Sequence, residues 1–132
     1  MKMRQLFRKD KDGQSIIEFA MILPILLLVL FGITEFGRAI MVTNVLYTAC
    51  REGARLAAVS PVGDPSVRDR VLEVLNAANI EAETIDIQVS ALEKTVTVTV
   101  TTVFEVLSGG ILAPLIPDPF VLRGTTVMRY EG

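Results

Sequence analysis

The sequence predicts an α+β chain: a long N-terminal membrane-spanning helix that continues as a stalk, then a short helix and a small antiparallel three-stranded sheet. Three observations predict it. Residues 16–33 form an 18-residue apolar run in which Glu18 is the only charge. From 34 to 59 no proline intervenes, and Ile33, Phe36, Ile40, Met41, Val45, Leu56 and Val59 keep the three-and-four spacing of a helix. Further on, Ile85, Ile87 and Val89 alternate with Asp86, Gln88 and Ser90, and Val96, Val98 and Val100 alternate with threonines, the period of half-buried strands.

The apolar run would cover about 27 Å as a helix, nearly a hydrocarbon core. A buried helix of a soluble domain is the weaker reading, because the rest of a 132-residue chain could not wrap so long an all-round apolar cylinder. Pro24, Gly32 and Gly37 loosen the backbone inside the run, as is common in membrane helices, where neighbours satisfy a freed carbonyl. Pro61 disfavours helix in the residue before it, so the helix should end at Val59 or Ser60. Counted from Gln14, some 46 residues would extend about 69 Å. The organisation expected is therefore a basic cytoplasmic leader at 1–13, a transmembrane part at 14–36, an extramembrane stalk at 37–60 and an outer α+β domain at 61–132. On the stalk, Gly53 and Ala57 stand four apart on a small-residue face that would admit another backbone, that of a partner or of the chain's own sheet.

In the outer domain, Asp64 is a good cap, Pro65 suits the first helical position, and Val67, Val71, Val74, Leu75 and Ala78 form a stripe; a helix is expected from Pro65 to about Ala78. The two alternating runs make a hairpin around a polar turn, and a third strand is expected from Phe120 to Tyr130. Between the second and third strands, "SGGILAPLIPDP" combines a diglycine with three prolines and cannot be a regular strand. Its Ile111, Leu112, Leu115 and Ile116 either fold back over the core or form a contact patch for another subunit or the membrane surface.

Charge gives an orientation. Lys2, Arg4, Arg8, Lys9 and Lys11 outweigh Asp10 and Asp12, a net of plus three before the span, against minus five for the rest of the chain. Basic flanks stay cytoplasmic, so the outer domain should lie across the membrane. A cleaved secretory signal is not expected, since the run passes straight into Phe31, Glu35 and Phe36 without a small-residue cut site. The single Cys50 allows no intrachain disulfide and reads as a small buried apolar residue. There is no histidine, which removes the usual proton shuttle and the commonest transition-metal ligand. Glu81, Glu83, Asp86 and Glu93 lack the fixed spacing of a calcium loop and read as a solvated acidic face. No serine has an activating base and no glycine pattern forms a phosphate cradle. Arg51 and Arg55, with Glu52 beside them, read as a stalk surface paired with acids rather than a phosphate site. Neither an enzyme, a cofactor or metal site, nor a nucleic-acid interface is expected.

One stretch carries a sharper signal. A basic leader ends at Gly13 and is followed by Gln14, then Ile17, Glu18 and Phe19, then the apolar helix. This resembles a type IV prepilin, cut after the glycine by a membrane-embedded prepilin peptidase. More narrowly, "GQSIIEFAMILPILLLVLFGITEFGRA", "ACREGARLAA" and "TTVMRYE" are similar to the TadE-like proteins of the tight-adherence (Tad, or Flp) pilus. The resemblance implies a minor pilin or pseudopilin of the bacterial inner membrane, its C-terminal domain periplasmic, built into or priming a pilus that supports adhesion and biofilm formation. It implies a cut between Gly13 and Gln14, and a role in assembly for Glu18 and Phe19. The implied partners are the peptidase, other pilins and minor pilins, the assembly platform and the lipid bilayer. The folded outer domain departs from the much shorter major pilin of such systems. Two alternatives stay open: a type II secretion pseudopilin, and an unprocessed single-pass protein whose outer domain binds a partner in the envelope.

Overall fold

In a computed structural model the chain is described over residues 6–107 and 119–130, with side chains from Gly13 onward. Helix α1 runs over Leu6–Ala57, 52 residues with Pro24 inside it. It begins within the leader rather than at Gln14, and it stops two residues before the expected end. The stop is local: Ala58 N–H still reaches the Ala54 carbonyl at 2.9 Å, but Val59 N–H bonds the Leu56 carbonyl at 3.2 Å. The last turn thus tightens to a three-residue spacing as the chain approaches Pro61. The expected contact patch at Ile111, Leu112, Leu115 and Ile116 lies outside the described residues.

Helix α2 spans Pro65–Ala77, one residue short of the expected end. Asp64 caps it by accepting the Ser66 N–H at 2.9 Å. Its end is closed by Asn79 at φ 54°, with Ile80 N–H on the Leu75 carbonyl and Asn79 N–H on the Asn76 carbonyl, both at 3.0 Å. That pair of bonds is a Schellman closure, for which asparagine tolerates the left-handed backbone. Strands β1 (Thr84–Ser90), β2 (Thr95–Phe104) and β3 (Phe120–Arg129) form an antiparallel sheet in the order β1-β2-β3. Thr84 opposes Thr101 across the first pair, and Val100 opposes Gly124 across the second.

Alternation decides which face of the sheet is buried. Val96, Val98 and Val100 of β2 are fully buried with Leu46, Ala49, Cys50 and Ala54 of α1 and Val71 and Leu75 of α2. The outer half of α1 is therefore not a bare stalk, since one of its faces is the centre of the domain's own core. Close approach requires small residues at two places. A Cβ on Gly53 would collide with the Val71 side chain, and one on Gly124 would lie 2.9 Å from the Leu46 Cβ and 3.0 Å from its backbone carbonyl carbon. Gly124, the feature that weakens the third strand as a sequence pattern, is what lets α1 cross β3.

A further tie runs between the helices. Arg70 of α2 pairs with Glu52 of α1 at 3.3 Å and with Glu73 at 2.8 Å, and the hydrogen bonds it donates to Glu73 and Glu52 raise its pKa. Arg51 and Arg55 stay exposed, so the acid beside them is used by α2 rather than by them.

Replacing Gly124 by alanine should destabilise the detergent-solubilised chain by about 1–3 kcal/mol in thermal or urea unfolding, because the new methyl meets backbone and not a flexible chain end. Gly37→Ala, with nothing within 4 Å of the new carbon, should be neutral or slightly stabilising. Equal stability of Gly124→Ala and the parent would contradict the close crossing.

Candidate functional site

The residues expected to matter for processing and assembly sit along the first turns of the apolar helix. Gly13 is helical and exposed, and a Cβ placed there would meet nothing within 4 Å. Gln14 donates its side-chain Nε2–H to Glu18 Oε1 at 3.1 Å, the contact that an i,i+4 spacing on one helical face permits. Phe19 is 60% exposed. Beyond it every side chain through Phe31 is exposed, so the segment is an apolar cylinder with no protein around it. Within the chain, the helix over Gly13–Ala57 is long and apolar enough to cross a membrane.

Near the outer end of this cylinder lies a second cluster that the sequence reading passed over. Glu35 is only 6% exposed although it follows the apolar run directly. Arg38, one turn later, donates to Glu35 Oε2 at 2.8 Å. The same guanidinium reaches the Glu105 carbonyl at 3.4 Å through both terminal nitrogens and lies 4.7 Å from the centre of the Phe104 ring. Arg38 thus joins α1 to the end of β2 by a charge-assisted bond and a cation–π contact. Beside it is an apolar groove of about 450 Å³ lined by Phe36, Ala39, Ile40, Phe104, Phe120 and Leu122, among others. The signal available in the sequence was the Glu35/Arg38 spacing of three, which is a helical pair; the partner just past β2, Glu105, lies 67 positions away and has no local signature.

Gly53 and Ala57 are brought together as expected, but they face the chain's own α2 and β2: Gly53 packs on Val71 and Val98, and Ala57 joins the core. Cys50 is fully buried and donates its S–H to the Gly124 carbonyl at 3.4 Å. Burial pushes the thiol pKa up, against a smaller lowering by a backbone bond at Val100. It is a neutral packing group at pH 7, not a reactive one. Glu81, Glu83, Asp86 and Glu93 are all exposed, and among the described residues no three ligating side chains converge as a metal site would need.

The exposed apolar helix with Gly13, Gln14 and Glu18 at its start is where the comparison with known families falls. The TadE-like protein family matches residues 13–55. Over that segment the chain is similar to the TadE-like family. The match begins at Gly13 and ends within α1, about a third of the chain, and the sheet and α2 lie outside it. No curated protein matches the chain, and no solved structure does.

The Glu35–Arg38 pair sits between a surface and a buried ion pair in exposure, so a double-mutant cycle with Glu35→Gln and Arg38→Met should give a coupling of about 1–2 kcal/mol in urea unfolding. A coupling near zero would mean that the cluster is incidental to the joint between helix and sheet.

Proposed function

We propose that the chain is a minor pilin, or pseudopilin, of the tight-adherence pilus, cut between Gly13 and Gln14 by a prepilin peptidase and acting in pilus assembly or priming. Adhesion and biofilm formation follow from the pilus it serves. The observation that carries this reading is the start of the TadE-like match at Gly13, on a helix whose apolar surface is exposed and uncovered among the described residues. Such a surface is suited to lipid before assembly and to other helices after it. The basic leader sets the N-terminus in the cytoplasm and the sheet on the periplasmic side of the inner membrane.

Glu18 supplies the mechanism. It stands two residues inside the apolar run, where a carboxylate reaches the interface at less than the roughly 2.5–3.5 kcal/mol it costs at midspan. Among packed helices the same carboxylate would need a cation. Cutting after Gly13 creates one, since the new α-amine of Gln14 is protonated below about pH 8. The Gln14 to Glu18 bond at 3.1 Å supports this: the two positions already meet across one turn, so an ammonium at Gln14 lies within reach of Glu18 of its own chain or of a neighbour. The cut bond lies inside α1 in the uncut chain. A peptidase needs extended backbone, so the first turns must open, and glycine is where a helix opens at least cost, about 1 kcal/mol below alanine.

Co-expression with a prepilin peptidase should yield a membrane protein whose first residue, by mass spectrometry, is Gln14, and Gly13→Leu should keep the leader. Glu18→Gln should still be cut yet be lost from sheared pili. An intact leader in piliated cells would defeat the reading in favour of an unprocessed anchor. Normal incorporation of Glu18→Gln would remove the assembly role of the carboxylate.

A further inference from the structure

Among the described residues the sheet has two unpaired edges of opposite charge. Residues 81–93 on the β1 side carry Glu81, Glu83, Asp86 and Glu93 and no base, whereas residues 119–130 on the β3 side carry Arg123 and Arg129 and no acid. Among the described residues neither β1 nor β3 pairs with any strand but β2. Asp86 accepts a bond from Gln88 at 2.7 Å, and none of these six charged side chains takes part in an ion pair among the described residues.

Register places Asp86, Arg123 and Arg129 on one face, while Glu81 and Glu83 precede β1 and Glu93 lies in the hairpin turn. Thr84, Thr101 and Arg123 form a row across the three strands, as do Asp86, Thr99 and Thr125, then Gln88, Thr97 and Val127, then Ser90, Thr95 and Arg129. This is the face opposite α1, since the alternate residues Val96, Val98, Val100 and Gly124 pack on the helix. Asp86 and Arg123 are thus one pleat apart in level, a spacing that a long side chain bridges between adjacent strands. The contacts of α1 fix direction as well. Arg38 meets Phe104 and Glu105, Cys50 meets Gly124, and Gly53 meets Val98, so β1 and β3 both run along α1 in its own sense. In one membrane all copies share the polarity of α1, so a β1 edge and a neighbour's β3 edge meet in parallel.

We propose that copies of this chain associate side by side in the membrane, β1 of one against β3 of the next, through parallel pairing in which Arg123 faces Asp86 and Arg129 faces the turn that carries Glu93. Free strand edges supply the main-chain donors and acceptors, and charge selects the pairing, because β3 against β3 sets arginine on arginine and β1 against β1 sets acid on acid. The contact is heterologous, so it leaves a free edge at each end and propagates. It does not require cleavage at Gly13, and its failure would leave the pilin reading untouched.

The test uses the full, uncut chain in membranes with Cys50→Ala and the pair Gln88→Cys and Val127→Cys. Within one copy these positions are two strand spacings apart, roughly 10 Å, too far for a disulfide; across the proposed contact they are adjacent. Oxidation should give a ladder of dimers, trimers and longer species, whereas each single-cysteine variant should stay monomeric. Adding Arg123→Glu and Arg129→Glu should cut the ladder about tenfold or more, and adding Asp86→Lys and Glu93→Lys to that variant should restore it. A monomeric pair variant, dimers from Val127→Cys alone, cross-links only to a different protein, or a ladder indifferent to charge reversal would each overturn the proposal. Rescue by the swapped charges separates loss of contact from loss of folding.

Discussion

The structure depends on how closely α1 can approach the sheet. At Gly53 and Gly124 there is no room for a methyl group, and Cys50 bonds the Gly124 carbonyl from a fully buried position. Tight packing of this kind makes the outer half of α1 a core element, sharing its buried face with Val96, Val98 and Val100. The same helix, some turns earlier, is a bare apolar cylinder. One rigid element thus carries both the anchor and the core, and the orientation of the domain is fixed by the helix that holds it.

Two acidic residues mark the ends of the apolar stretch, and they are handled differently. Glu18 is exposed on the helix and accepts from Gln14, a neutral donor that the proposed cut would supplement with a charge. Glu35 is buried and held by Arg38, which also grips the end of β2. The first acid is placed to respond to a change at the N-terminus. The second closes the joint between helix and sheet.

Much of this was legible from local pattern. The apolar run, the Asp64-Pro65 cap and the alternating valines each specify an element through a short-range rule, and those elements appear within a residue or two of where the pattern puts them. The hydrogen bonds that end α1 and α2 depend on the turn actually adopted, so the boundaries moved: α1 stops at Ala57 because its last turn tightens, and it is already helical within the leader, where nothing forbids helix. The Glu35–Arg38–Phe104 cluster and the Gly124 crossing were hidden for a different reason. Their partners are far apart in sequence, and only the packing of α1 across the sheet brings them together. Gly53 and Ala57 announced a close contact without saying with what, and the answer, the chain's own α2 and β2, needed the fold.

If α1 and the sheet form one body, they should open together. Native-state hydrogen exchange on the bilayer-embedded chain tests this directly. The amides of α1 from Leu46 to Ala57 and the ladder amides of β2 should exchange through a single cooperative opening with a common free energy. Sheet amides that exchange through a separate, lower-energy opening while this part of α1 stays protected would contradict it.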